Sequence, residues 1–137
     1  MDYKPSRIEN VGNPYQGAHK RVLCVCLGGL LRSPTLAWVL GNAPYNFNTR
    51  SCGVSNKYSL IVADDVLVEW ADEIVCAEPS VLTALKQKFN RRLDGKPLFA
   101  LNIEDRYGFR SPELVKIIHE ELKQHPLLTA PLQEMKR

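Results

Sequence analysis

No stretch of this sequence is apolar over the length of a membrane span, and its first residues carry no apolar core of the signal-peptide type. A membrane protein or a secreted one is not expected. Cysteine is scarce, four in 137 residues, with no C-x2-C spacing and nothing of a disulfide-stapled scaffold, so a cytoplasmic setting is the expectation. Histidine is scarcer still: His19, His119 and His125 stand apart, and no His, Cys or carboxylate cluster has metal-ligand spacing. Neither a metal nor a cofactor is expected. The charge imbalance is small, +3 with a pI near 8.7, too weak to argue for nucleic acid though compatible with an anionic substrate. There is no internal repeat. What remains is one ordinary domain, 45% hydrophobic and 24% charged, long enough for a single core.

The densest information lies in Arg21-Val-Leu-Cys-Val-Cys-Leu-Gly-Gly-Leu-Leu-Arg-Ser-Pro-Thr35. Residues 22–25 are apolar and partly β-branched, as in a strand buried on both faces. Ser33 is an expected N-cap and Pro34 an expected first helical residue, where a missing N–H is harmless. Between them stands a C-x5-R loop, Cys26 to Arg32. Such a loop turns backbone amides into a concavity at the positive end of a helix dipole, which makes an anion site. A thiol at that place is expected to ionise, because helix N-termini and cations favour the thiolate. Cys26 is thus the candidate nucleophile. Arg32 has the fork to hold two phosphoryl oxygens, together with the amides of Leu27, Gly28, Gly29, Leu30 and Leu31. Gly28 and Gly29 permit close backbone approach. Ser33 is a candidate donor to the thiolate, easing its departure from phosphorus.

Along the rest of the chain, strand-like and helix-like patterns alternate. Residues 1–19 are polar, with Pro5, Gly12, Pro14 and Gly17, and read as an irregular arm. A helix is expected over 34–40, a strand over 47–51, a polar loop over 53–59 and a helix over 63–70 with Asp64 and Asp65 at its start. A strand over 73–77 and a helix over 79–90 follow, the latter with Val81, Leu82, Leu85 and Phe89 on one face. After the Asp94-Gly95 turn come a strand over 98–101, a loop over 102–110, and a helix over 112–123. The α/β domain spans 20–124, and 125–137 is an irregular tail. This order predicts an α/β fold, a four-stranded parallel sheet flanked by helices on both faces. Ligands of such sheets sit beyond the carboxyl ends of the strands, where Cys26, Ser51, Cys52 and Asp105 all fall.

The run V-C-L-G-G-L-L-R-S-P-T resembles the phosphate-binding loop of the low-molecular-weight protein tyrosine phosphatases, notably their short bacterial and phage relatives. The likeness extends through Thr49-Arg-Ser-Cys-Gly53, Val68-Glu-Trp-Ala-Asp-Glu-Ile-Val-Cys76, Leu101-Asn-Ile-Glu-Asp-Arg-Tyr107 and Ser111-Pro-Glu-Leu-Val115, about 21–123 in all. It implies a cysteine-dependent phosphomonoesterase working on a phosphotyrosine protein or a small aryl phosphate. Asp105 matches the family's acid, in Asp105-Arg-Tyr where D-P-Y is common. A carboxyl there protonates the leaving oxygen and later activates water. Glu104 is the fallback acid. The resemblance also implies a ring-gripping pocket walled by Leu30 and Tyr107, with Tyr58 in the loop that varies its contacts. Lys57, Arg106 and Arg110 would steer an anion.

Three positions depart from the family. Gly29 stands where Asn is usual, which removes side-chain hydrogen bonds that brace the loop. Leu31 stands where many relatives carry a second, protective cysteine, so Cys24 or Cys52 would have to provide one. Arg106 replaces the proline after the acid. The three histidines match no family site. Against the phosphatase stand a non-catalytic phosphate- or phosphotyrosine-binding module on the same fold, an arsenate reductase, and a sugar phosphotransferase carrier. An arsenate reductase needs two further cysteines after the third strand, where Cys76 is alone. The carrier needs no arginine in its loop, and Arg32 argues against it.

Overall fold

The computed structural model describes residues 20–28, 32–57, 59 and 61–125. The expected N-terminal arm, loop residues Gly29, Leu30 and Leu31, Tyr58, and the tail beyond His125 lie outside the described residues.

Four parallel strands, β1 (Arg21–Cys26), β2 (Asn48–Gly53), β3 (Glu73–Cys76) and β4 (Leu98–Ala100), form one sheet in the order β2-β1-β3-β4. The helices are α1 (Arg32–Leu40), α2 (Asp65–Trp70), α3 (Pro79–Phe89) and α4 (Pro112–Leu122). Because side chains alternate along a strand, β1 feeds both faces. Val22 and Cys24 pack with Leu36, Ala37 and Leu40 of α1 and Leu114, Ile118 and Leu122 of α4. Leu23 and Val25 pack with Leu67 and Val68 of α2 and Val81 and Leu85 of α3. The sheet is thus covered on both sides, as the unbroken apolar run of β1 implies.

Helix starts follow their caps. Asp64 accepts from the Leu67 amide at 3.0 Å and opens α2, and Ser111 accepts from the Leu114 amide at 3.2 Å and opens α4 with Pro112 behind it. Ser33 differs from expectation. α1 begins at Arg32, so Ser33 lies inside the first turn and its hydroxyl is used elsewhere. The strand expected over 47–51 runs instead over 48–53, because Cys52 and Gly53 continue the ladder with β1 opposite Val25 and Cys26; Gly53 also bridges to the 61–63 segment, its amide donating to Ile61 O and its carbonyl accepting from Ala63 N, both at 2.9 Å. α3 stops at Phe89, and a 3-10 turn (Asn90–Leu93) buries Leu93 against the second core cluster. β4 is one residue shorter than expected, yet Leu101 N and Ile103 N continue its line to Cys76 O and Ala77 O at 2.8 and 3.0 Å.

At the amino ends of the strands the sheet is closed by charge pairs. Lys20 pairs with Glu73, both nearly fully buried, and Arg21 grips Asp72 through its amide at 2.9 Å and its guanidinium at 3.1 Å. Burial raises the Glu73 carboxyl, with the Lys20 hydrogen bond and charge opposing it. The carboxyl ends of the strands carry a different set of groups. Among the described residues no helix is long and apolar enough to cross a membrane.

Candidate active site

Cys26 ends β1 and is buried, 3% exposed. Its Sγ lies 3.1 Å from Ser33 Oγ, and that hydroxyl also reaches Cys52 O at 3.2 Å. A serine hydroxyl has one proton, so it can donate to the sulfur or to the carbonyl. With a neutral thiol, the S–H donates to Ser33 and Ser33 to Cys52 O. With a thiolate, the hydroxyl turns to the sulfur.

The first limb of the loop is pinned from the β2 side. Val54 N donates to Cys26 O and Ser55 N to Leu27 O, each at 3.0 Å, and Ser59 Oγ donates to Leu27 O at 3.2 Å. Gly53 makes this approach possible. A Cβ there would stand 2.7 Å from both the Gly28 carbonyl carbon and Leu27 O, and would run into Ser59 Oγ. Leu27 itself is exposed.

Arg32 is the bulkiest fully buried side chain, 2% exposed. Its Nη1 donates to the Glu78 carboxylate and, at 2.9 Å, to Ile103 O. Its Nε lies 3.4 Å from Asp105 Oδ1, an ion-pair distance whose alignment makes no hydrogen bond, so Nε has no hydrogen-bond partner among the described residues. A buried, charged donor without a hydrogen bond is costly unless a well-placed acceptor completes it. The Arg32 hydrogen bond holds the Glu78 carboxyl below its usual range, against partial desolvation.

Asp105 sits at the tip of an exposed excursion, residues 104–106, between Ile103 and Tyr107, which are both anchored in the core. Its side chain is half exposed and beside Arg32. Glu104, the fallback acid, is 74% exposed and pairs with Arg106 at 3.6 Å instead. Tyr107 is only 8% exposed and packs in the first core cluster, with the Arg106 guanidinium 4.5 Å over its ring. Lys57, Arg106 and Arg110 are all exposed.

The structure therefore brings Cys26, Arg32, Ser33 and Asp105 to the carboxyl end of the sheet. Leu30, Gly29, Leu31 and Tyr58 lie outside the described residues. Glu78 was not singled out from the sequence. Its signal was position: it directly follows β3, at the crevice end, and stands at an N-cap where Ser or Asp would be usual. It makes no side-chain cap, because its carboxylate is committed to Arg32 and Ser80.

The other three thiols are set apart from this chemistry. Burial raises Cys24 and Cys52 well above the ordinary thiol range, with nearby cysteines adding to it, and pushes Cys76 up to about 12, with Cys26 the next cause. All four cysteines are free. Among the described residues no group of His, Cys, Asp and Glu is placed to hold a metal ion.

No family model matches the sequence, and no curated protein sequence is significantly similar to it. Solved structures do match. Wzb of Vibrio vulnificus, in complex with benzylphosphonate, aligns with a TM-score of 0.62 at 20% identity over 77% of this chain and 96% of its own. The YwlE arginine phosphatase of Geobacillus stearothermophilus aligns at 0.58 and 21% identity, over 79% and 96%. The low-molecular-weight protein tyrosine phosphatase SP-PTP of Streptococcus pyogenes aligns at 0.56 and 17% identity, over 77% and 93%. The fold is that of the low-molecular-weight protein tyrosine phosphatases, a four-stranded parallel sheet with the Cys26–Arg32 loop after its first strand.

Proposed function

We propose that this protein is a cysteine-dependent phosphomonoesterase, most readily a protein tyrosine phosphatase. The observation that carries the reading is Arg32: a fully buried guanidinium, one residue from the Cys26–Ser33 pair, whose Nε lies at ion-pair distance from Asp105 and makes no hydrogen bond among the described residues. A structural arginine would have all its donors hydrogen-bonded; here Nε, with only the misaligned Asp105 carboxylate beside it, has a hydrogen bond left to give to a phosphoryl oxygen.

The chemistry runs in two steps. The Cys26 thiolate attacks phosphorus in line, forming the S–P bond as the P–O bond to the leaving group breaks. Asp105 gives its proton to the departing oxygen, so that an alcohol or phenol leaves rather than an alkoxide. Arg32 and the loop amides of residues 27–32 hold the equatorial oxygens. Asp105, now a carboxylate, takes a proton from water as that water attacks phosphorus, and the S–P bond breaks to free the thiolate and phosphate. Ser33 stabilises the sulfur anion in both steps by donating to it. No step requires a metal.

The substrate class follows from shape and charge. The benzylphosphonate held by the Vibrio protein pairs an aromatic ring with a phosphonate, the same two features as phosphotyrosine. Since an arginine phosphatase shares the fold, phosphotyrosine and phosphoarginine peptides belong in one assay. The test is steady-state hydrolysis of an aryl phosphate with chelator present, for wild type, Cys26→Ser and Asp105→Asn. Turnover lost at Cys26 and reduced about 10²–10⁴-fold at Asp105 is expected. Wild-type protein that binds phosphate esters through Arg32 without turning them over would overturn the reading and make the protein a binding module.

A further inference from the structure

Asp105 is exposed, yet an acid must stand at a fixed place relative to the phosphorus it serves. Its loop is fastened to α1 at two points about one helical turn apart. One is the Asp105–Arg32 contact at 3.4 Å. The other is 2.9 Å long: the Arg110 amide donates to Thr35 Oγ1, within the first turns of the helix that Arg32 begins. Arg110 holds this place in a left-handed backbone conformation, φ 56°. Its guanidinium lies 4.5 Å over the Trp38 ring, one turn further along α1, and 4.8 Å from the Phe109 ring.

A non-glycine residue at positive φ is strained unless its surroundings over-determine it. Here the surroundings do. The Ser111 amide closes the turn on Gly108 O at 3.1 Å, and the Arg110 side chain lies across two aromatic rings, a favourable arrangement for a guanidinium. Because the loop's far end is tied to the helix that carries Arg32, the acid and the phosphate cradle share one rigid reference.

We infer that Arg110, clasped by Thr35 and Trp38, is the positioning residue that sets Asp105 over the leaving-group oxygen. The inference rests on the reading of Asp105 as the acid. It also assigns Arg110 a task other than steering anions.

The experiment compares kcat/KM for phenyl phosphate, a poor leaving group that needs protonation, with 2,4-dinitrophenyl phosphate, a good one that does not. Arg110→Asn tolerates the left-handed backbone and removes the guanidinium; Thr35→Val removes the acceptor while keeping shape. Both variants are expected to lose about tenfold or more on phenyl phosphate and less than about twofold on the dinitrophenyl ester, a fraction of the full acid contribution. Asp105→Asn should show the same selectivity more strongly. Equal losses on both esters in Arg110→Asn and Thr35→Val, beside a selective Asp105→Asn, would overturn the positioning role alone. An Asp105→Asn variant with no leaving-group selectivity would overturn the acid itself and this inference with it.

Discussion

Nη1 of Arg32 donates both to the Glu78 carboxylate and to the Ile103 carbonyl, so the ends of β3 and of β4 meet on the one guanidinium that begins α1. This pairing fixes the plane of the fork before any anion arrives. Glu78→Ala should leave the buried cation with the Ile103 carbonyl and the misaligned Asp105 carboxylate alone among the described residues. A loss of about 1–2 kcal/mol in stability is expected, at the lower end for a hydrogen bond to charge because the carboxylate is a third exposed. Phosphate should also bind about tenfold more weakly. Chemical denaturation and phosphate titration of Glu78→Ala and Glu78→Gln check both; unchanged phosphate affinity would remove Glu78 from the site.

The same carboxylate predicts a pH dependence. Its folded-state pKa lies below the ordinary 4.5, chiefly through the Arg32 hydrogen bond. On acidification the unfolded chain therefore takes up this proton first. The stability that Glu78 contributes is complete above about pH 4.5 and falls away as pH drops through the lower folded value. The stability difference between wild type and Glu78→Gln should hold steady from about pH 5 to 8 and shrink below about 4.5. A difference that stays constant down to pH 3 would show that the ion pair contributes nothing.

Ser33 has a separate, kinetic prediction. The Ser33 hydroxyl lies 3.1 Å from Cys26 Sγ, and on the proposed mechanism it donates to the sulfur as Cys26 leaves phosphorus. Ser33→Ala should slow breakdown of the phosphocysteine by about 10²-fold, the scale of one lost donor to a developing anion. Stopped-flow assays should then show a burst of phenol equal to enzyme concentration. A slow, burst-free variant would put Ser33 in the first step instead.

Local patterns carried most of the fold. The unbroken run Val22 to Val25 meant a strand covered on both faces, and the apolar spacing after Pro112 meant a helix; both hold, the helix with Ser111 as its cap. Ser33-Pro34 looked like a start signal, but Arg32 is already helical, and Ser33 turns its hydroxyl to Cys26 and Cys52. Glu78 was illegible for a physical reason. Its meaning depends on a partner 46 positions away, and nothing in its neighbours marks it. The extension of β2 to Gly53 likewise rests on long-range pairing, of Cys52 and Gly53 with Val25 and Cys26 of β1, which no local propensity encodes. Tyr107 shows how tertiary packing adds to a local reading: the aromatic beside the acid is also a member of the first core cluster.

Gly53 is where the second strand touches the loop. There is no room for a side chain: a Cβ would stand 2.7 Å from Gly28 and Leu27 backbone atoms, which cannot swing aside as a flexible chain end would. Gly53→Ala should push the loop's first limb out of place, lowering kcat/KM by about 10²-fold, as misplacement on the ångström scale does. Stability should fall by about 1–3 kcal/mol, the usual range for overpacking. Full activity in Gly53→Ala would mean that the loop does not depend on this contact.

Oxidation distinguishes this site from one with a built-in protective disulfide. Cys52 pairs with Val25, not Cys26, and packs on the opposite face of the sheet from Cys24. Cys24 lies two residues before Cys26 on one strand, which separates their Cβ atoms by about 6.6 Å, whereas a disulfide needs about 3.8 Å. Burial moreover keeps Cys24, Cys52 and Cys76 protonated, and a thiol attacks a sulfenic acid poorly. Neither Cys24 nor Cys52 is then fit to rescue Cys26. Peroxide should inactivate wild type, Cys24→Ser and Cys52→Ser at rates within about twofold of each other, and over-oxidised Cys26 should accumulate as activity falls. Intact-mass measurement settles it: a loss of two hydrogens with activity restored by a dithiol would show an internal disulfide and a mobile sheet end, whereas added oxygens on the Cys26 peptide are the outcome this geometry requires.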